Sequence, residues 1–535
     1  MKFFSKKDLS TAFFYGKIYT ILLCESEDFI LNWELIVLIF YFVAMLGIGV
    51  LFFFRSKSAT DKDYFLGGKT MGPWVTALSA QASDMSAWLL MGLPGSILAF
   101  GFGEVWIGIG LALGTALNWI LVARRLRRFS QAANDSITLP QYLSNRFATK
   151  SKGLQVTCAI VFLVCFTFYV ASAFVAGTKV FVALFPTLEP MLAMVIFAAI
   201  LIVYTFLGGY SAVCWTDFFQ GLLMLVAVLS VPIIIVVSGE MVPELLNETV
   251  YEVAKDGSIS EHVFVGSFFE ASIKDICNGL AWGLGYFGMP HILVRFMAIK
   301  KASLVKKSAT VAITWVVLAL GAVVCIATFG RMLPDVGANL LASGRDDMVF
   351  VELARKLFHP AITGFLLAAI IAASMSTADS QLLVASSSFT SDIYKPLIRK
   401  KASNKEVLWV GRGVVLLVAA VAFVIAIDAY GDTNNPIMAL VDAAWAGFGS
   451  AFGSVILLSL FWRRFTYKGA LAGVVAGALV DIVWQLFLSD VTGIYELIPG
   501  FAISMIAAVI VTLLDKAPSK EITDIYDEAT SPCDD

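Results

Sequence analysis

Charge is scarce in this sequence, and so are the residue clusters on which most soluble enzymes depend. Charged residues make up 15% of the 535 positions, whereas a soluble chain has about a quarter. The three histidines are far apart in the sequence, the seven cysteines show no CxxC spacing, and no Ser/His/Asp arrangement or HExxH motif is present. The sequence therefore gives no support for a metal cluster, a disulfide framework or an enzyme. A net charge of −2 gives no indication of a nucleic-acid partner.

Two short motifs resemble nucleotide-binding sequences but lack the required context. GLGYFG, at 283–288, matches GxGxxG but lies inside an apolar run with no preceding strand. GGKT, at 67–70, resembles the end of a P-loop, but Asp63 stands where the first glycine is required. We therefore expect no cofactor and no ATP-driven step.

What the sequence does have is a series of long apolar runs. Hydrophobic residues make up 59% of the chain, and the mean hydropathy is +0.84. Runs of about 20 residues are long enough to cross a bilayer core of about 30 Å. We predict an all-α polytopic membrane protein, embedded in a lipid bilayer, with about 13 transmembrane helices. The predicted spans lie near 35–54, 72–98, 103–123, 155–182, 188–207, 215–238, 269–297, 308–330, 361–388, 407–429, 436–462, 468–488 and 494–514.

The distribution of basic residues predicts the orientation. With the N-terminus outside, the inner loops and the tail hold 25 Lys and Arg residues and the outer segments hold nine. The positive-inside rule favours this arrangement, with the C-terminus in the cytoplasm. RRLRRF at 124–129 and KKASLVKK at 300–307 are the clearest cytoplasmic anchors.

Two of the spans contain sequences that disfavour a continuous helix. The second carries SAQASDMSAW at 79–88 with one acid, Asp84, and the seventh carries GLAWGLGYFGMPH at 279–291 with four glycines and a proline. Unwound backbone at membrane depth is tolerated only where protein or a cavity receives its polar groups. The alternative is that glycine-rich helices merely pack closely, as AGFGSAFG at 446–453 is expected to do.

The two interrupted spans are five apart, which predicts two five-helix sets of opposite orientation, at 72–238 and 269–462. A peripheral helix at 35–54 precedes them, and two more follow at 468–514. Residues 1–34 form an N-terminal extension of unknown role, and 515–535 a cytoplasmic tail. Inverted repeats of this kind are typical of secondary transporters.

The ninth span offers a polar surface that complements the broken helices. AASMSTADSQLL, at 372–383, carries five polar side chains in its central part, among them Ser376, Thr377 and Asp379. A serine or threonine in a membrane helix often bonds only its own backbone. Hydroxyls together with freed carbonyls also suit a small cation such as Na⁺, and Asp84 would make that pocket more negative.

Five stretches of the chain resemble the sodium/solute symporter family, most closely its sodium/proline branch. They are YFLGGKTMGPWVTALSAQASDMSAWLLMGLPG, YTFLGGYSAVCWTDFFQG, LAWGLGYFGMPHILVRFMA, MSTADSQLLVASS and AAWAGFGSAFG, in the family's order within 35–517. The resemblance implies a LeuT-type inverted five-helix repeat with discontinuous helices. It also implies sodium-coupled uptake of L-proline by alternating access across a bacterial inner membrane, with sodium as co-substrate and no obligate protein partner.

The resemblance further implies roles for individual residues. The sodium site falls on the carbonyls of Ala82, Met85 and Ala373 and the hydroxyls of Ser376 and Thr377. Asp84 supports sodium binding, and Asp217 resembles the family's acid on the ion-exit path. The residues that map to the substrate site are Ser86, Trp88, Tyr169, Trp282, Tyr286 and Pro290.

Purely structural roles are the alternative to these assignments. Tyr169 and Trp282 are also compatible with ordinary packing, and Asp217 with a helix-end anchor. Two positions depart from the branch pattern: Lys69 stands where arginine is common, and Asp379 places an extra acid beside the sodium hydroxyls.

The alternative functions are sodium-coupled symport of a different amino acid or a carboxylate, a sensor, and a passive channel. A tail of about 20 residues argues against a sensor, and two discontinuous helices argue against a channel.

Overall fold

The computed structural model describes residues 33–55, 65–207, 209–247, 251–253, 259–261, 264–431 and 435–532. Within these ranges the fold is helical apart from one hairpin of two short strands, β1 (Tyr251–Val253) and β2 (Ile259–Glu261). The extension predicted at 1–34 lies almost entirely outside the described residues.

Within the described ranges, the first half of the chain has nine α-helices. They are α1 (Trp33–Arg55), α2 (Pro73–Asp84), α3 (Leu93–Phe100), α4 (Phe102–Leu117), α5 (Arg124–Ala132), α6 (Leu139–Arg146), α7 (Gly153–Leu184), α8 (Pro190–Leu207) and α9 (Tyr210–Ser238). Short 3₁₀ turns occur at Gly67–Lys69 and Pro243–Asn247. A π-helical turn at Trp88–Gly92 leads into α3, and another at Asn118–Ala123 joins α4 to α5.

The second half continues with thirteen α-helices in the described ranges. They are α10 (Ile273–Gly285), α11 (Pro290–Ala298), α12 (Val305–Arg331), α13 (Gly337–Ala342), α14 (Val349–Leu357), α15 (Pro360–Ser388), α16 (Asn404–Tyr430), α17 (Pro436–Phe448), α18 (Ser454–Phe461), α19 (Tyr467–Phe487), α20 (Ser489–Thr492), α21 (Leu497–Leu514) and α22 (Lys520–Thr530). Short 3₁₀ turns precede α12 and α14. π-Helical segments extend α15 through Phe389–Ile398 and join α17 to α18 through Gly449–Gly453.

Each of the predicted spans coincides with helical structure. Among the described residues, ten helices are long and apolar enough to cross a membrane by length and composition. The protein is therefore a multi-pass membrane protein, while the number of 13 spans stays a prediction. The third and ninth spans run further than predicted, to Ala132 and Ile398. The third continues through RRLRRFSQA, which is rich in helix-forming arginine, and the ninth continues as the π-helical segment Phe389–Ile398.

The breaks in the two discontinuous spans lie where the sequence predicts them. Helix α2 ends at Asp84, and Met85 leaves helical geometry with φ −81° and ψ 78°. Helix α10 ends at Gly285, and the chain is unwound until Pro290 begins α11. Both breaks are fully enclosed by protein, which agrees with the rule that irregular backbone at membrane depth needs internal partners.

The interior is built on α7 and α15, which pack against each other and against several neighbours. Residues 366–388 of α15 are buried throughout, so its polar side chains face protein. Helix α9 packs on α2, and α19 packs on α21 at the periphery. The broken helices are thereby held between α15 and the remaining helices.

A glycine seam joins α4 to α10. Gly110 and Gly114 on α4 face Gly279 and Gly283 on α10 so closely that a Cβ on Gly110 would overlap the Gly279 carbonyl. The two sequences are GLALG and GLAWG, and this small-residue spacing lets membrane helices approach backbone to backbone. Gly449 likewise packs against Gly285, which confirms close packing for the AGFGSAFG stretch.

Candidate functional site

The unwound turn after α2 frees backbone carbonyls that α15 then meets. The Ser376 hydroxyl donates to the Ala82 carbonyl over 2.7 Å and also lies 3.2 Å from the Ala373 carbonyl. The Thr377 hydroxyl lies 3.4 Å from the same Ala82 oxygen. Four of the five predicted sodium ligands therefore form one cluster of oxygen atoms. The fifth, Met85, directly follows the end of α2 and comes three residues after Ala82.

Asp84 connects the two helix breaks. Its Oδ2 accepts a hydrogen bond from the Tyr286 hydroxyl over 2.6 Å, and Tyr286 is the first residue after α10. Its Oδ1 is buried and has no hydrogen-bond partner among the described residues. An uncompensated carboxylate oxygen beside a set of carbonyls and hydroxyls favours a cation there.

The second break also leaves a helix N-terminus unsatisfied. Helix α11 begins with Pro290, and the preceding residue, Met289, supplies no side-chain cap. The first amide groups of a helix lack intrahelical partners and carry partial positive charge, which attracts a carboxylate. The Tyr169 ring lies edge-on to His291 in the first turn of α11, with 6.2 Å between the ring centroids. An aromatic wall and an anion-attracting helix end therefore lie side by side.

The predicted substrate residues fall into an inner group and an outer group. The inner group surrounds Asp84: the Trp88 indole N–H donates to the Asp84 carbonyl over 3.1 Å, and the Tyr169 hydroxyl donates to it over 3.3 Å. Ser86 bonds within the break itself, through its amide to the Asp84 carbonyl at 3.0 Å. Tyr286 joins this group from the second break through its bond to Asp84, and Pro290 is buried at the end of that break.

Trp282 forms the outer group and is stacked between two aromatic rings. Its ring centroid lies 6.1 Å from that of Trp445 and 5.3 Å from that of Tyr495. Trp445 also donates to the Trp282 carbonyl over 2.8 Å and meets the Tyr286 ring edge-on at 5.0 Å. Trp445 therefore links the outer aromatic stack to the inner group, a position that sequence reasoning did not assign to it.

A cavity of about 420 Å³ leads from the surface to Trp282. Its walls come from the starts of α4, α10 and α17 and from the segment between α19 and α21. Four carboxylate side chains line it: Glu104, Asp275, Asp442 and Glu496. The acidic lining makes the approach to the aromatic stack attractive to cations.

Asp217 is deeply buried and is paired with a residue that sequence reasoning missed. Its Oδ2 accepts bonds from Arg295 at 3.0 Å and from the Ser79 hydroxyl at 2.7 Å, and both charged side chains are at most 1% exposed. Arg295 also bonds the Ser380 hydroxyl and, at 2.6 Å, the His291 carbonyl. The signal was an arginine within an apolar span, which marks a functional or paired position by default. The alternative of a helix-end anchor does not describe this environment.

The two departures from the family pattern have different surroundings. Asp379 is fully buried on α15, interacts electrostatically with Asp217 and Arg295, and neither carboxylate oxygen has a hydrogen-bond partner among the described residues. Lys69 lies outside this core and forms an ion pair with Asp135. Lys69 thus ties the segment before α2 to the chain after α5, whereas Asp379 places a buried carboxyl group three residues after Ser376 on α15.

The comparison with protein families decides the class. The model of the sodium:solute symporter family matches residues 64–477 of this chain. The chain belongs to the sodium:solute symporter family. This membership places it among transporters and not among enzymes.

Curated relatives match the chain over most of its length. It is 43% identical to a sodium/proline symporter from Haemophilus influenzae, over 93% of this chain and 97% of that protein. It is 44% identical to a high-affinity proline transporter from Bacillus subtilis, over 90% and 98%. It is 45% identical to a sodium/proline symporter from Escherichia coli, over 91% and 94%.

Solved structures show the fold. A substrate-bound, outward-open sialic acid symporter matches with a TM-score of 0.70 at 19% identity, covering 91% of this chain and 99% of that chain. A nucleobase-cation-symport-1 family transporter in a closed conformation matches with a TM-score of 0.52 at 14% identity, covering 86% and 97%. The expected LeuT-type architecture with discontinuous helices is confirmed.

Proposed function

We propose that this chain carries L-proline into the cell together with sodium, by alternating access. The observation that carries the proposal is the meeting of α2, α15 and the second break. The oxygen cluster of Ala82, Ser376 and Thr377 joins α2 to α15, and the Tyr286 hydroxyl bonds Asp84 from the second break. The names of the proteins that are 43–45% identical supply the solute.

Sodium is the cation that this donor set suits. The ligands are carbonyl and hydroxyl oxygens, which hard cations prefer. The carbonyls of Ala82, Met85 and Ala373 would bind it with the Ser376 and Thr377 hydroxyls. The hydroxyl protons that point at Ala82 in this structure turn away when a cation takes the oxygen lone pairs. Asp84 directly precedes Met85 and would stabilise the ion electrostatically, because its Oδ1 has no hydrogen-bond partner among the described residues.

Proline suits the residues that surround the two breaks. Its carboxylate would face the uncapped start of α11, and its ring would contact the aromatic side chains of Tyr169, Trp282 and Tyr286. Ser86, Trp88 and Pro290 complete the enclosure. An aromatic surface binds a compact apolar ring well, and a helix N-terminus orients the charged end.

This arrangement gives a physical reason for coupling. A sodium ion between α2 and α15 fixes the first break, and Asp84 transmits that position to Tyr286 in the second break. Proline then meets a preformed set of partners and pays less ordering entropy. By thermodynamic reciprocity, bound proline raises the affinity for sodium by the same factor. Asp217 and Arg295 contact Ser79 and Ser380, about one helical turn from the oxygen cluster along α2 and α15, where they would guide the released ion.

Uptake of radiolabelled L-proline into proteoliposomes tests the proposal. We expect uptake under an inward sodium gradient to exceed uptake under an equal potassium gradient many-fold, and an inside-negative potential to raise it further, since each charge gains about 2.3 kcal/mol per 100 mV. Equal uptake in sodium and potassium would contradict coupling. Unlabelled alanine, glutamate and a sugar in excess form the solute control, because competition by one of them better than by proline would point to another substrate.

We also propose a bacterial inner membrane, with the N-terminus outside and the C-terminus in the cytoplasm. Cysteine labelling tests the orientation. Cys277 is exposed at the acidic end of α10, and Cys533 follows the described part of the tail. With each kept as the single cysteine in intact cells, a membrane-impermeant maleimide should label Cys277 and not Cys533. The opposite pattern would reverse the topology.

A further inference from the structure

A positively charged pocket lies at the opposite end of the bundle from the acidic cavity. Arg124, Arg125 and Arg128 from α5 form it together with residues 529–532, at the end of α22, and the cavity they enclose measures about 560 Å³. We call it the arginine pocket. It has no residue in common with the proposed transport site, so its role is independent of the proposed function.

Among the described residues, no acid neutralises the three arginine charges. Arg125 donates to the Leu460 carbonyl at 3.2 Å and lies 4.4 Å from the Phe461 ring centroid. Arg128 bonds the Ser531 carbonyl, and Arg124 is exposed. Within the described ranges, no carboxylate lies at ion-pair distance from any of the three. Several guanidinium N–H groups therefore remain available for an anion.

The helix that carries these arginines has a lipid-facing stripe directly before them. Helices α4 and α5 with the turn between them form one apolar span, Phe102–Ala132. Four large apolar side chains on it are 41–64% exposed and follow one another at spacings of one to four residues: Leu113, Leu117, Ile120 and Leu121. Arg124 follows Leu121 by three residues, and Arg128 follows four later, so the stripe leads into the pocket. In a bilayer the stripe contacts acyl chains and the arginines lie at headgroup depth.

The end of α22 closes the other side of the pocket. Tyr526 packs its ring edge-on against Phe129, with 5.3 Å between centroids, and Asp527 forms a two-bond ion pair with Arg463 at 2.7 and 2.8 Å. Helix α22 is thereby held against α5, and its last residues form a wall beside the arginines. An anion in the pocket would contact both elements.

We propose that the arginine pocket binds the phosphate headgroup of an anionic phospholipid, whose acyl chains lie along the apolar stripe. Arginine presents paired N–H donors that match phosphate geometry, and basic pockets at the ends of membrane helices select anionic headgroups. The neighbouring stripe favours a lipid over free phosphate, because only a lipid contacts both surfaces. Bound lipid bridges α5 to the end of α22.

Native mass spectrometry of the detergent-solubilised chain tests the proposal. With phosphatidylglycerol and phosphatidylcholine of equal chain length added together, we expect the phosphatidylglycerol adduct to predominate. The double variant Arg124→Gln/Arg128→Gln should lower that adduct about tenfold, as expected for the loss of charge-assisted bonds to phosphate. The control Lys400→Gln/Lys401→Gln removes two exposed charges from the loop before α16 and should leave the adduct unchanged.

Three results would overturn the proposal. One is a phosphatidylglycerol adduct in the arginine double variant as abundant as in the unchanged chain. The second is full displacement of the lipid by millimolar inorganic phosphate, which would assign the pocket to a free anion. The third concerns Asp534 and Asp535, which follow Pro532 in the sequence: a lipid adduct that appears only in Asp534→Asn/Asp535→Asn would assign the pocket to the tail. Retained proline uptake in every variant verifies folding.

Discussion

The Tyr286 hydroxyl and the Asp84 carboxylate are joined by a hydrogen bond of 2.6 Å, which connects the break after α2 to the break after α10. Both residues are at most 1% exposed. Neither break can change its backbone conformation without lengthening or re-forming this bond. The pair is therefore the most direct physical link between the proposed sodium ligands and the aromatic part of the site.

A double-mutant cycle on this pair should show strong coupling. Tyr286→Phe keeps the ring and removes the hydroxyl, and Asp84→Asn removes the charge. A hydrogen bond to a buried charged group contributes roughly 1.5–3 kcal/mol, so each change should raise the sodium concentration for half-maximal proline uptake by about tenfold or more. The double variant should be little worse than Asp84→Asn alone. Additive losses would show that the two residues act separately. Tyr142→Phe, which loses a bond to Ser459 elsewhere, is the control.

Removal of the α15 hydroxyls should weaken sodium activation specifically. Ser376→Ala and Thr377→Ala each remove one oxygen from the cluster at Ala82, and each should raise the half-maximal sodium concentration by about tenfold. Ser374→Ala is the matched control, because its buried hydroxyl bonds the Ile370 carbonyl of its own helix, at 3.0 Å, and no other group in the described part of the chain. Unchanged sodium activation in both test variants, with proline uptake preserved, would place the ion elsewhere.

The fold was largely predictable because its signals are local. Apolar runs locate the helices, and clustered glycine, proline and polar residues locate the breaks at Met85 and after Gly285. The largest boundary differences, at Ala132 and Ile398, lie where the helix continues past the apolar run. A hydropathy profile detects only the apolar run and cannot predict how far the helix continues after it.

The site was only partly predictable because its remaining contacts join distant segments. Arg295 and Asp217 are 78 positions apart, and Trp445 and Trp282 are 163 apart. Helical periodicity relates only residues that are close in the sequence. The sequence therefore indicated Asp217 without its partner Arg295, and Trp282 without the ring of Trp445 that stacks on it. An arginine inside an apolar run was the one signal that would have pointed to Arg295.

The buried Arg295–Asp217 pair should be asymmetric in its response to substitution. Arg295→Met leaves Asp217 as an unpaired charge and should destabilise the protein by about 3–5 kcal/mol. The double variant Arg295→Met/Asp217→Asn should recover much of that loss, because the uncompensated charge is gone. Thermal unfolding in detergent measures both. Arg345→Gln, from an exposed pair with Glu352, should change stability by less than about 1 kcal/mol. A double variant no more stable than Arg295→Met would contradict the charge argument.

Loss of the outer aromatic ring should affect proline more than sodium. Trp282→Ala removes the ring stacked between Trp445 and Tyr495, and we expect the proline concentration for half-maximal uptake to rise about tenfold, from lost aromatic contact. The sodium dependence measured at saturating proline should stay close to normal. Trp484→Ala, on the peripheral helix α19, is the control, since its indole bonds only the Ile494 carbonyl among the described residues. Normal proline affinity in Trp282→Ala would exclude this ring from the substrate path.

Widening the glycine seam should cost stability. A Cβ on Gly283 would overlap the Gly110 carbonyl, so Gly283→Ala should lower the unfolding free energy by about 1–3 kcal/mol. Gly321→Ala is the matched control in α12, because nothing lies within 4 Å of its added Cβ. That change should stabilise by roughly 0.5–1 kcal/mol, from the helix propensity of alanine. Thermal unfolding that gives equal shifts for the two variants would show that the seam has room to relax.

The seam also restricts how the molecule opens. Helices α4 and α10 are in backbone contact at Gly110 and Gly283, with no side chains between them at that point. We therefore expect the two helices to move together as one rigid body. Helices α10 and α4 therefore form one wall of the acidic cavity. Helix α17 and the segment before α21 form the opposite wall. Widening of that entrance must come from separation of the two walls, with the bending confined to the four residues from Tyr286 to Met289.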